Sequence, residues 1–202
     1  MPEPNKVLIN IDISLFNKSY HRIIDDHTPL ILLCGGAGSG KSIFLSQLLV
    51  YDALRFPGIN ALVVRKVAGS LRASVISTIR GIISDWGINN LFAFNTTHSS
   101  LVCENGSQIT FIGLDDPEKA KSIVPLSTED GGIPMFSSIW AEEATELTKQ
   151  DFIQLRLRLR GITPYTKRMF LTFNPIKIDH WLKKLGRRTF ALSPRRFCGQ
   201  QL

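Results

Sequence analysis

Long apolar runs are missing from this sequence. No stretch approaches the roughly 20 apolar residues that a membrane-spanning helix requires. The first residues, Met1 to Pro4, show neither the basic nor the apolar region of a secretory signal. We therefore expect a protein of the cytoplasm that has no membrane partner.

Cysteine is also scarce. The three cysteines are Cys34, Cys103 and Cys198, and they include no C-x-x-C pair, which argues against a disulfide scaffold and against a zinc site. The chain contains no internal repeat and no low-complexity tract. With 202 residues, 44% of them hydrophobic and 20% charged, it is predicted to form one folded α/β domain.

Acidic residues are outnumbered by basic ones. The 17 acidic residues face 24 lysines and arginines, which gives a formal net charge of +7. Much of the excess lies late in the chain, as in Lys183-Lys184 and Arg187-Arg188. Such a charge suits a polyanionic partner such as nucleic acid, but a solvated basic surface explains it equally well.

A glycine-rich stretch stands between an apolar run and a helical pattern. The run Leu30–Cys34 predicts a buried strand, and the next eight residues fit G-x-x-x-x-G-K-[ST]. These eight residues are Gly35, Gly36, Ala37, Gly38, Ser39, Gly40, Lys41 and Ser42. The order of strand, loop and helix favours a phosphate-binding loop over a merely flexible turn.

The residue types of this loop suit the binding of ATP with Mg2+. Glycines let successive backbone N–H groups turn toward a phosphate, and a helix that begins at Lys41 directs its positive end at the same anion. We expect Lys41 to contact the β and γ phosphates and the Ser42 hydroxyl to bind Mg2+.

Hydrophobic periodicity predicts the elements of the first half. Phe16, Tyr20, Ile23 and Ile24 have the spacing of one helical face, and core packing is favoured over an aromatic cover for adenine. A strand over 61–64 is expected to pair with the first strand, with a crossover helix between them. A helix over 71–86 follows, and Asn105-Gly106 predicts a hairpin turn.

The second half is predicted in the same way. The segment 114–132 is expected to be a long connection with one short helix near 118–123. Apolar strands follow over 135–141 and 169–173, separated by a helix that opens on a capping box at Thr148. After Leu182 the pattern becomes basic and irregular.

Two adjacent carboxylates close the predicted strand 135–141. Nucleotide hydrolysis needs an acid on the metal side, the role expected for Glu142, and a base for the attacking water, the role expected for Glu143. A solvated Glu-Glu pair is the alternative interpretation. Thr172 and Asn174, at the end of the next strand, are candidates for sensing hydrolysis, although an ordinary turn is equally plausible there.

In this order, the motifs resemble the ATPase domain of phage terminase large subunits, the motors that package viral DNA. The stretches that carry the resemblance are Gly35–Ser42, Arg65–Arg72, Phe111–Asp116, Ile139–Leu147, Arg158–Gly161, Leu171–Pro175 and His180–Leu182. The resemblance implies an ASCE-type P-loop NTPase, a three-layer sandwich with a mostly parallel sheet and an inserted β-hairpin. It also implies ATP and Mg2+ as ligands, Glu142 as the metal-side acid, Glu143 as the catalytic base, and coupling through Thr172 and Asn174.

The same resemblance implies partners. These are double-stranded DNA, a small terminase subunit, a portal protein and identical subunits in a ring, in the host cytoplasm and transiently at the procapsid portal. The net charge permits the sequence-independent DNA contacts of such a motor.

Two features depart from the family pattern. Family members commonly carry an arginine within the loop, where this chain has Ala37. The positive charge that stabilises the transition state would then come from another arginine, in the same or a neighbouring subunit. The candidates are Arg65, Arg72, Arg158 and Arg160. A solvated basic face is the alternative role for these arginines.

The second departure concerns the nuclease domain. We expect a lead-in over residues 1–28, an ATPase domain over 29–185 and a basic tail over 186–202 that lacks the nuclease pattern and looks truncated. This chain alone is therefore not expected to cut DNA. A non-hydrolysing nucleotide-binding or assembly remnant and a helicase-like DNA translocase are the alternative functions.

Overall fold

The computed structural model describes residues 10–115, 125, 135–176 and 180–186. Within them the strands are β1 (Leu30–Cys34), β2 (Asn60–Arg65), β3 (Phe92–Asn95), β4 (Ser100–Cys103), β5 (Gln108–Gly113), β6 (Ser138–Ala141) and β7 (Arg168–Phe173). The helices are α1 (His21–Ile24), α2 (Lys41–Arg55), α3 (Ala68–Leu71), α4 (Ser77–Asp85), α5 (Lys149–Arg158) and α6 (Trp181–Gly186). The short helix predicted near 118–123 and the tail after residue 186 lie outside the described residues.

One seven-stranded sheet forms the centre of the fold, in the order β1-β7-β6-β2-β5-β4-β3. The first five strands of this order run parallel, while β4 and β3 run antiparallel to their neighbours. The predicted pairing of the first two strands is wrong, because β7 and β6 lie between β1 and β2. A local crossover is only one way to complete a parallel sheet, and later strands fill the gap in this fold.

Helices cover both faces of this sheet, which confirms the three-layer fold. Ile31 and Leu33 of β1 point into a core shared with α2 and α4, where the lead-in residues Phe16 and Tyr20 are also buried. Leu30 and Leu32 point into a second core shared with α5 and α6. Side chains alternate between the faces of a strand, so a strand that is apolar throughout requires cover on both sides.

The predicted hairpin is present and larger than expected. Gly106 adopts φ 84° in the turn between β4 and β5, and the Asn105 side chain donates to the Ala53 carbonyl at 2.8 Å. The sequence interpretation missed β3, which pairs with β4. Short and half-exposed, β3 lacks the clear alternation that would have revealed it.

Two helical regions differ from the expectation. The predicted helix over 71–86 begins earlier, at Ala68, and contains a π-helical segment over Arg72–Ile76 between α3 and α4. The chain after Leu182 continues as α6 to Gly186 rather than becoming irregular at once. None of the helices in the described ranges has the length and apolarity that crossing a bilayer would require.

The parallel register brings the ends of several strands to one edge. Cys34 of β1 lies opposite Phe173 of β7, and Ala141 of β6 lies opposite Leu171 of β7 and Val64 of β2. The residues that follow these strands are therefore neighbours, which is the arrangement that places ligand sites in parallel α/β sheets.

At the opposite edge, a buried ion pair joins α2 to β7. Arg168 donates to the Asp52 carboxylate and to the carbonyls of Ile24 and Asp26. Burial raises the pKa of Asp52 to about 6, although the neighbouring Arg168 opposes this shift. Because this pKa lies above the ordinary 3.8, the folded state holds the proton more tightly, and the contribution of Asp52 to stability is lost as the pH rises through about 6.

We expect Arg168→Met to lower the free energy of unfolding at pH 7.5 by about 3–5 kcal/mol, because it leaves a buried carboxylate unpaired. The loss should be smaller at pH 5, where Asp52 is protonated, and smaller in the double variant Asp52→Asn/Arg168→Met. Urea denaturation at both pH values measures these differences.

Arg55→Met is the matched control, because Arg55 contacts Asp25 in an exposed ion pair and should contribute no more than about 1 kcal/mol. Equal losses in the two single variants would contradict the role assigned to the buried pair.

Candidate functional site

The glycine-rich loop connects β1 directly to α2. Gly38 and Gly40 adopt φ values of 75° and 81°, the left-handed region that a residue with a Cβ avoids. A Cβ on Gly35 would lie 3.0 Å from Ser39 Oγ, so the close fold of the loop also depends on this glycine. The loop thus has the open backbone that an anion requires.

The Lys41 ammonium lies at the centre of this loop. Its Nζ donates to the carbonyls of Gly35 at 2.5 Å and Gly36 at 3.1 Å, and to Ser39 Oγ at 3.0 Å. It also lies 3.4 Å from Asn174 Oδ1. Burial lowers the pKa of Lys41, while the charge of Glu143 opposes that shift.

Glu142 follows β6 and is nearly buried, with 5% of its surface exposed. Its backbone N–H donates to the Val64 carbonyl at 2.8 Å. Its Oε2 accepts from Ser74 Oγ at 3.0 Å and lies 3.7 Å from the Arg65 guanidinium. Burial raises the pKa of the Glu142 carboxyl, and the hydrogen bond from Ser74 is the largest effect that opposes this rise, with smaller ones from Arg65 and the Ser42 side chain.

Glu142 and Ser42 suit a magnesium ion. Mg2+ prefers hard oxygen ligands, typically one or two protein groups with water and phosphate oxygens. The Ser42 hydroxyl and the buried Glu142 carboxylate lie close together beside the glycine-rich loop and supply such oxygens. The residues present therefore fit the ion that the resemblance implies.

The backbone of Glu143 adopts a strained conformation. Its φ is 47° and its ψ is 53°, a left-handed conformation that costs roughly 1–2 kcal/mol for a residue with a side chain. It is half-buried, and its charge acts on both Lys41 and Arg65. The two carboxylates thus sit on the loop side of the sheet, as the sequence predicts.

The end of β7 is hydrogen-bonded to both motifs. Thr172 accepts from Trp140 Nε1 at 2.9 Å and lies 3.5 Å from the carbonyl of Ala141, which immediately precedes the acids. The N–H of Gly35 donates to the Phe173 carbonyl at 3.2 Å. With the Lys41–Asn174 contact, these bonds join Thr172 and Asn174, the residues named for coupling, to the loop and to the strand that precedes the carboxylates.

The candidate arginines occupy different parts of the fold. Arg65 lies at the site edge and donates to Glu146 at 3.2 and 3.3 Å, and this hydrogen bond raises the pKa of Arg65. Arg158 ends α5 and Arg160 follows it. The next residue, Gly161, accepts a hydrogen bond from Lys167, which immediately precedes β7 at the other edge of the sheet. The side chain of Arg72 lies outside the described residues.

Sequence reasoning missed two contacts to the site, one from Tyr20, which it places in the core, and one from Ser74. Tyr20 donates its hydroxyl to the Ser39 carbonyl at 2.9 Å and stacks on Phe44 with ring centroids 4.8 Å apart. Ser74 contacts Glu142 from the π-helical segment. No local pattern signals either contact, because each joins segments that are distant in sequence.

Comparison with known proteins points to one family. The sequence matches the family described as phage terminase large subunit over residues 28–189. It is 33% identical over 150 residues to the PBSX phage terminase large subunit of Bacillus subtilis (strain 168), in an alignment that covers 74% of this chain and 32% of that protein. The chain thus spans about a third of the length of the curated relative it matches.

Solved structures share the fold. The large terminase from a thermophilic bacteriophage superimposes with a TM-score of 0.63 at 16% identity, over 86% of this chain and 44% of that one. The N-terminal domain of the DNA packaging ATPase from bacteriophage phi29 gives a TM-score of 0.60 at 14% identity, over 86% of each chain. The thermophilic phage protein has also been solved in complex with ADP and with ATP-gamma-S.

We expect Glu143→Gly to raise the free energy of unfolding by about 0.5–1 kcal/mol, because glycine adopts the left-handed conformation without strain. Glu143→Gln keeps the Cβ and should leave stability near that of the parent protein. The stability of both variants is measured by thermal denaturation. If Glu143→Gln were also stabilised, the gain would come from removing the negative charge and not from relieving the backbone strain.

Proposed function

Because this chain belongs to the phage terminase large subunit family, we propose that it is the ATP-hydrolysing motor domain that drives double-stranded DNA into a procapsid. One observation carries the proposal. The glycine-rich loop that carries Lys41 and Ser42, the Glu142 carboxylate and the end of β7 lie together at one sheet edge, where Lys41 contacts Asn174 and the Ser42 side chain acts on Glu142.

The catalytic roles follow from the chemistry of each group. Lys41 is a buried cation among loop carbonyls and would exchange these contacts for the β and γ phosphate oxygens of ATP. Ser42 and Glu142 would hold Mg2+, which, when bound, neutralises negative charge on the phosphates. Glu143 would orient the attacking water and accept its proton.

Coupling would run through β7. Asn174 contacts the same ammonium that would hold the γ phosphate, so a change at the phosphate alters a contact of Asn174. Thr172 contacts the Trp140 side chain from within the sheet. A shift of β7 would thereby reach both the Lys41 loop and the strand that carries the carboxylates.

A transition-state arginine would have to replace the one that is absent at Ala37. Arg65 lies near the carboxylates and is the candidate within the same subunit, once it exchanges Glu146 for phosphate. Arg158 and Arg160 lie toward the other sheet edge, so they would act only from a neighbouring subunit of a ring.

The remaining partners are proposed from the family and the charge. The net charge of +7 suits contacts to DNA phosphates that carry no sequence information. We propose a homo-oligomeric ring at a portal, supplied with DNA by a small terminase subunit in the host cytoplasm. We also propose that the ATPase region over residues 29–185 does not itself cut DNA.

We expect Lys41→Ala and Glu143→Gln each to lower the rate of ATP hydrolysis by about 100-fold or more, since each removes a group that acts on the reacting phosphate or water. Phosphate release is measured with Mg2+ in the presence and absence of duplex DNA.

The exposed residues Lys184 and Glu104 provide matched controls, because Lys184→Ala and Glu104→Gln make the same chemical changes away from the site. Nucleotide binding without turnover in the parent protein would favour the non-hydrolysing remnant. Full activity of both site variants would refute the catalytic roles of Lys41 and Glu143.

We expect Asn174→Ala to lower kcat for ATP by about 10-fold while KM stays within about threefold, because a contact that senses the phosphate acts mainly after binding. Steady-state kinetics with duplex DNA present measures both constants. The exposed Asn90→Ala variant is the control, and a rise in KM alone would make Asn174 a binding residue instead.

A further inference from the structure

An irregularity in the helix after β2 faces the candidate metal site. Helical residues run from Ala68 to Asp85, but Arg72–Ile76 form a π-helical segment. Such a segment inserts an extra residue into the helix and is frequent at functional sites. Ser74 is at its middle.

The Ser74 hydroxyl lies between two acceptors. Its Oγ is 2.8 Å from the Ser70 carbonyl of its own helix and 3.0 Å from Glu142 Oε2. A serine hydroxyl has one proton, so it donates to one of these acceptors at a time. Donation to the carboxylate is the stronger choice, because hydrogen bonds to a charged acceptor exceed those between neutral groups.

The contact fixes one oxygen of a side chain that has few partners. Glu142 is almost buried, and its other described polar neighbours are Arg65 at 3.7 Å, the Ser42 side chain and the like charge of Glu143. Because Arg65 makes its closer contacts to Glu146, Ser74 supplies a short and directional bond that sets the rotation of the Glu142 carboxylate.

We propose that Ser74 is a positioning residue that orients Glu142 toward the magnesium ion of a bound nucleotide. The inference rests on the proposed function, because it assumes the metal role of Glu142. Hydrogen-bond partners of a metal ligand typically contribute 10–100-fold in metal affinity. The π-helical segment is the local structure from which Ser74 reaches the carboxylate.

A variant of Thr78 can distinguish the positioning role of Ser74 from a purely structural role in the helix. Its Oγ1 donates to the Ser74 carbonyl at 2.9 Å, the same bond to the preceding turn that Ser74 can make to Ser70. Among its described contacts none is to Glu142. Thr78→Ala therefore removes a bond within the helix, whereas Ser74→Ala also removes the bond to the carboxylate.

The experiment is a calorimetric titration with the non-hydrolysable analogue β,γ-imido-ATP, in EDTA and at increasing Mg2+. Mg2+ should increase the affinity for the analogue, and the midpoint is the Mg2+ concentration that gives half of this increase. In Ser74→Ala we expect the midpoint to rise by about 10–100-fold, while the affinity for the analogue in EDTA stays within about twofold of that of the parent protein. Thr78→Ala should behave like the parent protein, and Glu142→Gln should lose the gain.

A second pair of variants shows whether a lost Mg2+ response comes from the missing hydroxyl or from misfolding. Ser74→Thr and Ser74→Val have the same shape and differ in the hydroxyl, so Thr should preserve the Mg2+ response and Val should lose it. An unchanged response in Ser74→Ala, or equal effects of Ser74→Ala and Thr78→Ala, would overturn the role of Ser74 alone. A parent protein without any Mg2+ response would overturn the proposed function as well.

Discussion

The parallel pairing of β1 with β7 and of β7 with β6 is the constraint on which the candidate site depends. Backbone hydrogen bonds fix the register, so the ends of these strands reach one edge together. The glycine-rich loop, Asn174 and Glu142 each follow the last residue of one of these strands. If the pairing of a strand shifted by one residue, every side chain of that strand would turn to the other face of the sheet. The close packing of the cores on both faces excludes such a shift.

Two buried charges at this edge are incompletely compensated by the protein. Burial lowers the pKa of Lys41 and raises that of Glu142, so each charge is disfavoured relative to water. An anion beside Lys41 and a cation beside Glu142 would relieve both. These two charges suit a bound anion and a bound cation. At the other edge, Asp52 has the Arg168 guanidinium as its direct partner and the pair joins α2 to β7, although burial still raises the pKa of Asp52 to about 6.

Most elements could be predicted from the sequence, and the structure brings several residues predicted for the site to one edge of the sheet. Strong local signals identified the loop and the capping box at Thr148, which the structure confirms, and an apolar run followed by two acids identified the end of β6. The order of the strands could not be predicted in this way. Whether β2 lies beside β1 depends on which later strands fill the sheet, and no local pattern records that.

The sequence by itself determined which chemical groups are present and at which strand ends they stand, because strand, glycine loop and helix are encoded by residues adjacent in the chain. Only the tertiary structure decided that Ser74 reaches Glu142, that Tyr20 supports the Ser39 carbonyl, and that Arg158 and Arg160 lie toward the far edge. Those contacts join segments tens of residues apart, and their geometry follows from packing, which sequence spacing does not specify.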